Sequence, residues 1–201
     1  MIDTSSAMSA VAVIDPSGRP AAEAVVPSGP GLDLPALVRS LGGLDSLTRI
    51  AVATGPGSFT GLRTGLSYAA GLAMGAGVGV SGLATLELAA ARAREPAVGV
   101  SEAGRGRLYY RCPGGEDRLG VPADLPRGLP AAGWLREATV AALREAGVRL
   151  LAGDELRPFA EAAWEVAGKA AEGGYDTLRP RYLQTFGALA PGAGPPDRRH
   201  S

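Results

Sequence analysis

A buried-strand run that leads directly into a glycine-rich turn and a helix most constrains the fold of this chain. The strand is LTRIAVAT, the turn lies in TGPGSFTGLRTG between Thr54 and Gly65, and a helical pattern runs from Thr60 to Gly75. A second short strand, GVGVSG, follows at once. Strands that alternate with helices in this way predict an α/β protein, in which helices cover the faces of a sheet.

The segment ahead of this turn carries further strands and one helix. The run from Met1 to Val26 alternates as two or three short strands, with turn residues in PSGR. The segment DLPALVRSL has apolar residues at a helical spacing, and Asp33 is placed as its N-cap. We therefore predict strands followed by a helix over residues 33–41.

The rest of the chain repeats the alternation after a break near Glu95-Pro96. The patterns predict a helix over residues 83–94, a hairpin with AGRG at its turn, a helix in WLREATVAALREAG, a strand in VRLLAG and a helix in PFAEAAWEVAGKAAEGG. The Pro- and Gly-rich stretch PGGEDRLGVPADLPRGLPAAG is expected to be mostly loop. Two units follow, residues 1–95 and 96–187, and residues 188–201 have the composition of a disordered tail.

Charge and composition restrict the partners of the chain. Twenty basic residues balance twenty acidic ones, which argues against a dominant nucleic-acid surface because such proteins need excess Lys and Arg. The sequence has no run of eighteen apolar residues, so no membrane contact is expected. Its single cysteine excludes an internal disulfide and agrees with a reducing compartment. We expect a soluble protein of the cytoplasm.

The glycine-rich turn matches none of the general phosphate or nucleophile motifs. A nucleoside-triphosphate P-loop needs a Lys where the chain has Leu62, and the dinucleotide fingerprint needs a third Gly where it has Thr60. Ser58 follows Gly57 directly, so a nucleophile elbow is not met. An anion at the helix N-terminus remains physically possible because the strand-turn-helix context is right.

Catalytic and metal-binding residues are scarce. The single histidine, His200, is the next-to-last residue, which argues against a Ser-His-Asp triad. One His and one Cys cannot form a zinc-type cluster. We predict no catalytic residue, no metal site and no cofactor bound by this chain.

The helix after the turn carries an unusual row of small residues. Gly61, Gly65, Ala69 and Ala73 recur every four residues, and a Gly inside a helix costs about 1 kcal/mol relative to Ala. Close approach of another backbone would explain these small residues. That backbone could belong to the chain's own sheet or to a partner, and the pattern favours neither. Arg63 opposes the helix dipole in the first turn, so we expect it to have a carboxylate partner in this chain or another.

These residues resemble a known family. IDTSSAMSAVAV followed by GPGSFTGLRTGLSYAAGLAMGAGVGVSGLATLELAA is similar to the TsaB (YeaZ) family, the bacterial partner subunit in threonylcarbamoyladenosine synthesis on tRNA. SEAGRGRLYYRC, LLAGDE and LRPRYLQ agree more loosely, and the resemblance covers roughly Ile2 to Gln184. In this family an Asp is more usual than Glu102, and apolar residues normally precede IDTS. We therefore expect a short first strand and a true start upstream of Met1.

The resemblance implies a fold and a role. The fold would be actin-, Hsp70- and sugar-kinase-like (ASKHA), with two lobes that are each a mixed sheet with flanking helices. The chain would be a non-catalytic subunit that docks onto a TsaD-type catalytic subunit, which holds the ATP and the metal. It would reach a TsaE-type ATPase and tRNA only through the complex, and it could form a homodimer when alone. The peptidase label given to relatives of this fold is disfavoured by the histidine count.

The resemblance also implies where the site residues lie. Asp3 and Thr4 would be the relic of the fold's first phosphate loop. The docking surface would lie on the first two helices, at Leu34, Leu37, Val38, Leu41, Gly61, Arg63, Gly65, Tyr68, Ala69 and Leu72. On this interpretation the substitution Gly65→Leu would abolish partner binding and leave the monomer folded. The alternative function is a small ATP-dependent phosphotransferase that uses Asp3 and the loop from Gly55 to Gly61.

Overall fold

Two mixed β-sheets and five α-helices make up the described part of the chain. A computed structural model describes residues 1–42 and 44–183, so the predicted tail at 188–201 lies outside the described residues. The strands are β1 Ile2–Asp3, β2 Met8–Ile14, β3 Pro20–Pro27, β4 Arg49–Gly55, β5 Gly79–Ala84, β6 Val98–Gly104, β7 Arg107–Arg111, β8 Arg118–Gly120, β9 Ala131–Ala132 and β10 Glu172–Gly173. The helices are α1 Leu34–Leu41, α2 Phe59–Ala76, α3 Thr85–Ala91, α4 Glu137–Glu145 and α5 Phe159–Lys169.

The first sheet has the strand order β10-β5-β4-β1-β2-β3. Strand β1 pairs antiparallel with β2, through Ile2 opposite Val11, and parallel with β4, through Ile2 opposite Val52. Strands β4 and β5 are parallel and connected by α2, which confirms the strand-turn-helix-strand unit predicted from the sequence. The predicted N-cap is also confirmed, because the Asp33 carboxylate accepts a hydrogen bond of 2.9 Å from the backbone N–H of Ala36.

The two faces of the first sheet have different cores because side chains alternate along a strand. On one face, Ile2, Val11, Ile50 and Val52 pack against buried residues of α1 and α2. On the other face, Ala10, Ala12, Ala51 and Leu83 pack against α3 and α5. Helices α1 and α2 therefore lie together on one side of the sheet, and α5 lies on the other.

Helix α5 is fixed to the first sheet at both of its ends. At its N-terminus the Glu23 carboxylate of β3 accepts hydrogen bonds from the backbone N–H groups of Phe159 (3.2 Å) and Ala160 (2.7 Å). At its C-terminus the Arg49 guanidinium of β4 donates to the carbonyl oxygens of Ala167 and Ala170, both at 3.1 Å. These charges suit the helix dipole, which favours an anion at the N-terminus and a cation at the C-terminus.

The second sheet has the order β8-β7-β6-β9 and holds the predicted hairpin, with Arg105 in a left-handed conformation (φ 54°) at its turn. Strands β8 and β9 lie in the stretch predicted to be loop, since strands of two or three residues carry no periodic signal. The strand predicted in VRLLAG is wrong, because Leu150 forms an isolated bridge to Ala131 there. Helix α3 is shorter than predicted, because its flanking residues Leu83 and Ala93 belong to β5 and to an isolated bridge with Leu156. The boundary at residue 95 stays a prediction, although α5 packs on the first sheet and β10 is one of its strands.

Candidate functional site

The loop after β1 is closed on itself by the Asp3 carboxylate. The backbone N–H of Ser5 donates to Asp3 Oδ1 at 2.8 Å, and the Ser5 hydroxyl donates to the same oxygen at 2.6 Å. Asp3, Thr4 and Ser5 are all buried. The two residues predicted as a relic phosphate loop therefore sit inside the protein, with their polar groups turned toward the chain itself.

The glycine-rich turn packs directly on this loop. The backbone N–H of Ser58 donates to the Ser5 carbonyl oxygen at 2.7 Å, and the Thr4 hydroxyl donates to the Gly61 carbonyl oxygen at 2.7 Å. A Cβ on Gly57 would meet the Ser5 carbonyl oxygen, and a Cβ on Gly61 would meet that of Thr4, both closer than the 3.0 Å limit for real Cβ contacts. These glycines are needed for backbone packing within the chain.

Thr85, at the start of α3, connects the two loops. Its hydroxyl accepts a hydrogen bond of 3.1 Å from the Gly55 N–H and lies 3.2 Å from the Ser5 hydroxyl oxygen. The cavity beside Asp3 and Thr85 is also lined by Arg92 and Trp134, and its volume is about 10 Å³. That is room for a single water molecule.

A positively charged side chain, Arg92, lies beside Asp3, and the sequence patterns did not indicate it. Its guanidinium lies 4.0 Å from the centroid of the Trp134 ring, in a cation–π contact. Burial lowers the pKa of Arg92, while the nearby Glu23 and Asp3 carboxylates raise it. Nothing in the local sequence indicates these contacts of Arg92, because Trp134 and the two carboxylates come from distant segments of the chain.

The pKa of Asp3 gives a testable pH dependence. Burial raises it above the ordinary 3.8, against the lowering effect of the Ser5 hydrogen bonds and of Arg92. The folded pKa is thus above the unfolded one, so the Asp3 contribution to stability is fully present below pH 3.8 and is lost as the pH rises through the folded value. We expect Asp3→Asn to gain stability relative to the parent protein as the pH rises above 3.8, measured as the free energy of unfolding in urea.

The matched control for this experiment is Asp15→Asn. Asp15 is half-buried and accepts hydrogen bonds from Ser17 and Arg19, which lower its pKa. Its stabilising contribution is therefore present above the unfolded pKa and is lost as the pH falls, the opposite trend to Asp3. If the free energies of unfolding of the parent protein and of Asp3→Asn changed in parallel with pH, that result would contradict the raised pKa of Asp3.

The structure divides the residues predicted for a docking surface into two groups. Leu34, Val38, Gly65 and Ala69 are buried in the chain's own core. Their side chains and Cα hydrogens cannot form a surface in this conformation, and they are corrected here to core positions. The others remain at least partly accessible: Leu37, Leu41, Gly61, Arg63, Tyr68 and Leu72.

Gly65 shows the physical reason for this correction. It faces the sheet, and a Cβ there would approach the Thr4 hydroxyl oxygen inside 3.0 Å and Val52 Cγ2 at 3.7 Å. The missing side chain of Gly65 leaves room for the Thr4 side chain of the loop after β1. The expectation that Gly65→Leu leaves the monomer folded is therefore replaced by its opposite, which the Discussion develops.

Two other glycines of α2 are at the surface instead. Gly71 and Gly75 are exposed, and a Cβ on either would find no atom of the described chain within 4 Å. Met74 beside them is 60% exposed, and Leu72 packs at the edge of the core. A groove of about 380 Å³ next to Gly71 and Gly75 is lined by Leu44, Asp45, Leu47, Gly71, Leu72, Gly75 and Ala76.

Arg63 lies against an aromatic ring. Its guanidinium lies 3.9 Å from the centroid of the Phe59 ring in a cation–π contact, and the carboxylate partner expected in this chain or another stays a prediction. The ring of Tyr182 lies 5.4 Å from that of Phe59, at an angle of 33°. These three side chains form an exposed aromatic and cationic cluster at the start of α2.

Within residues 1–42 and 44–183, no group of three or more His, Cys, Asp or Glu is placed to hold a metal ion. Among the same residues, no helix is long and apolar enough to cross a membrane.

The architecture is that of an ASKHA-like α/β protein, with two mixed sheets and flanking helices. Residues 36–118 match the family model described as "TsaD: tRNA N6-adenosine threonylcarbamoyltransferase", which is less than half of the chain. No curated protein matches the chain. The matched segment contains the glycine-rich turn, α2 and the hairpin of the second sheet.

Solved structures of YeaZ proteins share the fold. One, YeaZ from Pseudomonas aeruginosa, has a TM-score of 0.70 and 23% sequence identity over 90% of this chain and 97% of that one. Another, an uncharacterized protein with similarity to peptidase YeaZ from Pseudomonas aeruginosa, has a TM-score of 0.68 and 23% identity over 91% of this chain and 97% of its own. At this identity the likeness establishes the fold, and together with the TsaD model it supports the resemblance to the TsaB family.

Proposed function

We propose that this chain is a TsaB-type, non-catalytic subunit that docks onto a TsaD-type threonylcarbamoyltransferase through α1 and α2. The observation that carries the proposal is the exposed pair Gly71 and Gly75 in the middle and last turns of α2. Each Gly costs about 1 kcal/mol in a helix relative to Ala, and the described chain contains nothing that requires the missing side chains. Close approach of a helix from another protein would account for that cost.

Apolar residues beside these glycines support the same surface. Leu37, Leu41, Tyr68 and Leu72 are partly buried at the edge of the core that α1 and α2 share, and Met74 is largely exposed. We define the α1–α2 surface by the following residues: Leu37, Leu41, Arg63, Tyr68, Gly71, Leu72, Met74 and Gly75. Fully desolvated apolar residues with small residues between them are what a tight helix–helix interface needs.

The family comparisons and the closed phosphate loop support a role without catalysis. The proposal follows the TsaB resemblance, in which the ATP and the metal belong to the catalytic subunit. On this proposal tRNA and a TsaE-type ATPase are reached only through the complex. The alternative phosphotransferase would need space for phosphates between Asp3 and the turn from Gly55 to Gly61. The structure favours the docking role, because Ser5 and Gly57 are packed together there and the adjoining cavity holds about one water molecule.

The proposal is tested by mixing the purified chain with the TsaD-type subunit of the same organism. Size exclusion with light scattering should show a stable heteromeric peak, and a reconstituted assay should form threonylcarbamoyladenosine on tRNA faster with the chain than without it. A chain that elutes unchanged beside that subunit and leaves the modification rate unaltered would overturn the proposal. Calorimetry with ATP and Mg²⁺ on the chain alone tests the phosphotransferase, which requires binding at micromolar to millimolar levels.

A further inference from the structure

Met74, near the end of α2, is the most exposed large apolar residue in the described part of the chain. It is 60% exposed, whereas the next, Tyr175, is 45% exposed. The other two methionines, Met1 and Met8, are half-buried. A methionine thioether is an apolar group that oxidants convert to a polar sulfoxide, and its susceptibility follows its exposure. Met74 is therefore the methionine that a dissolved oxidant reaches most easily.

The neighbours of Met74 along the helix do not shield its sulfur. On an α-helix, the residues three and four positions away flank a side chain, and for Met74 these are Ala70, Gly71, Gly77 and Val78. Neither glycine has a side chain, and a Cβ on either would find no described atom within 4 Å. Ala70 adds only a methyl group, and Val78 packs against the core under α1 and α2. The thioether is therefore open to water on the sides where longer side chains would cover it.

The surroundings of Met74 suit an apolar group and do not suit a sulfoxide. Residues 64–76 carry no charged side chain, and Gly71 and Gly75 on either side of Met74 offer no side-chain donor. The backbone N–H groups inside a helix are already hydrogen-bonded. A sulfoxide oxygen buried here against a partner helix would lack a donor from this chain, and burying an unpaired polar group is costly.

We propose that Met74 is an oxidation site, at which a hydroperoxide converts the thioether to a sulfoxide and so switches off docking at the α1–α2 surface. The proposal rests on the proposed function, which places Met74 in that surface. The sulfur lone pair attacks the hydroxyl oxygen of the hydroperoxide, so that an S–O bond forms as the O–O bond breaks. The hydroxyl proton passes to the leaving oxygen, which departs as water or an alcohol; the sulfur loses two electrons and the peroxide gains them.

This modification would act on the free chain and would be reversible. A partner that covers Met74 would also keep the oxidant from its sulfur, because susceptibility follows exposure. Methionine sulfoxide reductases return the sulfoxide to the thioether, so the docking surface could be restored without new synthesis. Docking and oxidation at Met74 would therefore exclude each other.

The first part of the test measures where the chain is oxidised. The full chain is treated with hydrogen peroxide, and peptide mass mapping follows the gain of one oxygen at each methionine. We expect Met74 to be oxidised at least about fivefold faster than Met8, which is half-buried in β2. In the complex with the TsaD-type subunit, oxidation of Met74 should slow while that of Met8 stays the same. Oxidation of Met8 as fast as Met74 would overturn the proposal.

The second part measures the affinity for the labelled TsaD-type subunit before and after oxidation. We expect the oxidised chain to bind at least about tenfold more weakly, a loss of 1.4 kcal/mol or more, and a sulfoxide reductase to restore the affinity to within about twofold. Met8→Leu should lose affinity on peroxide treatment as the parent protein does. Met74→Leu, compared with the same variant untreated, should change by less than about twofold.

The controls separate the possible failures. Met74→Leu keeps Met8 and the single cysteine, Cys112, so a loss of affinity in the treated variant would assign the effect to another residue and overturn the proposal. Equal binding by the parent protein before and after Met74 is oxidised would overturn the switch and leave the docking function standing. An untreated parent protein that does not bind the subunit would overturn the docking function, and the switch with it.

Discussion

Gly65→Leu is expected to unfold the protein or to lower its melting temperature by about 10 °C or more. Gly65 is buried between α2 and the loop after β1, and a Cβ there would collide with the Thr4 hydroxyl, which donates to the Gly61 carbonyl oxygen. Overpacking a core costs about 1–3 kcal/mol, and disturbing the buried Thr4 hydrogen bond adds to it. At 2–4 °C per kcal/mol for a domain of this size, a loss of 3–4 kcal/mol reaches that shift.

Circular dichroism during heating measures this effect. The matched control is the same substitution at Gly71, six residues further along the same helix, where the added side chain meets no described atom within 4 Å. If Gly65→Leu melts within a few degrees of the parent protein while Gly71→Leu melts much lower, the assignment of the two glycines to core and surface is wrong.

Gly71→Leu is expected to keep the chain folded and to abolish docking onto the catalytic subunit. Leu is better than Gly in a helix by about 0.7 kcal/mol, so the variant should melt at or above the parent temperature. A leucine at an interface that needs close backbone approach would hold the two helices apart and leave the apolar surface around it in contact with water. We therefore expect the affinity for the catalytic subunit to fall at least about 100-fold, or 2.7 kcal/mol. Titration of the variant into the labelled TsaD-type subunit gives the affinity directly.

Gly168→Leu is the control for docking. Gly168 lies on α5, on the opposite side of the first sheet from the α1–α2 surface, and its substitution also meets open space. It should leave the complex unchanged. Undiminished binding by Gly71→Leu would show that the α1–α2 surface is not the docking site. A loss of binding by both variants would contradict the assignment to one face.

The helices and strands that span several periods of a hydrophobic pattern were predictable from the sequence. Helix α2 and strands β4 and β5 follow from a run of apolar residues long enough to fix a period, and the Asp33 cap follows from its position before such a run. Strands β8 and β9 were missed because two or three residues carry no period. The VRLLAG strand was wrong because an apolar run does not reveal whether a partner edge extends beside it.

Some of the residues predicted to form a docking surface are accessible and others are buried, and the errors share one cause. Leu37, Leu41, Tyr68 and Leu72 remain accessible, whereas Leu34, Val38, Gly65 and Ala69 lie in the core. A row of small residues indicates close approach of a second backbone, but its period is the same whether that backbone belongs to the sheet below or to a partner above. Only the rotation of α2 on the sheet distinguishes Gly65 from Gly71.

The sequence by itself determined the α/β class, the strand-turn-helix unit around the glycine-rich turn, and the resemblance of that turn to the TsaB family, because these depend on local patterns of side chains. The tertiary structure decided what those residues contact. It placed Gly57 and Gly61 against the loop after β1, and it brought Arg92 and Trp134 beside Asp3. These contacts join residues up to about 130 positions apart in the chain, and only the packing of the helices on the sheet brings such residues together.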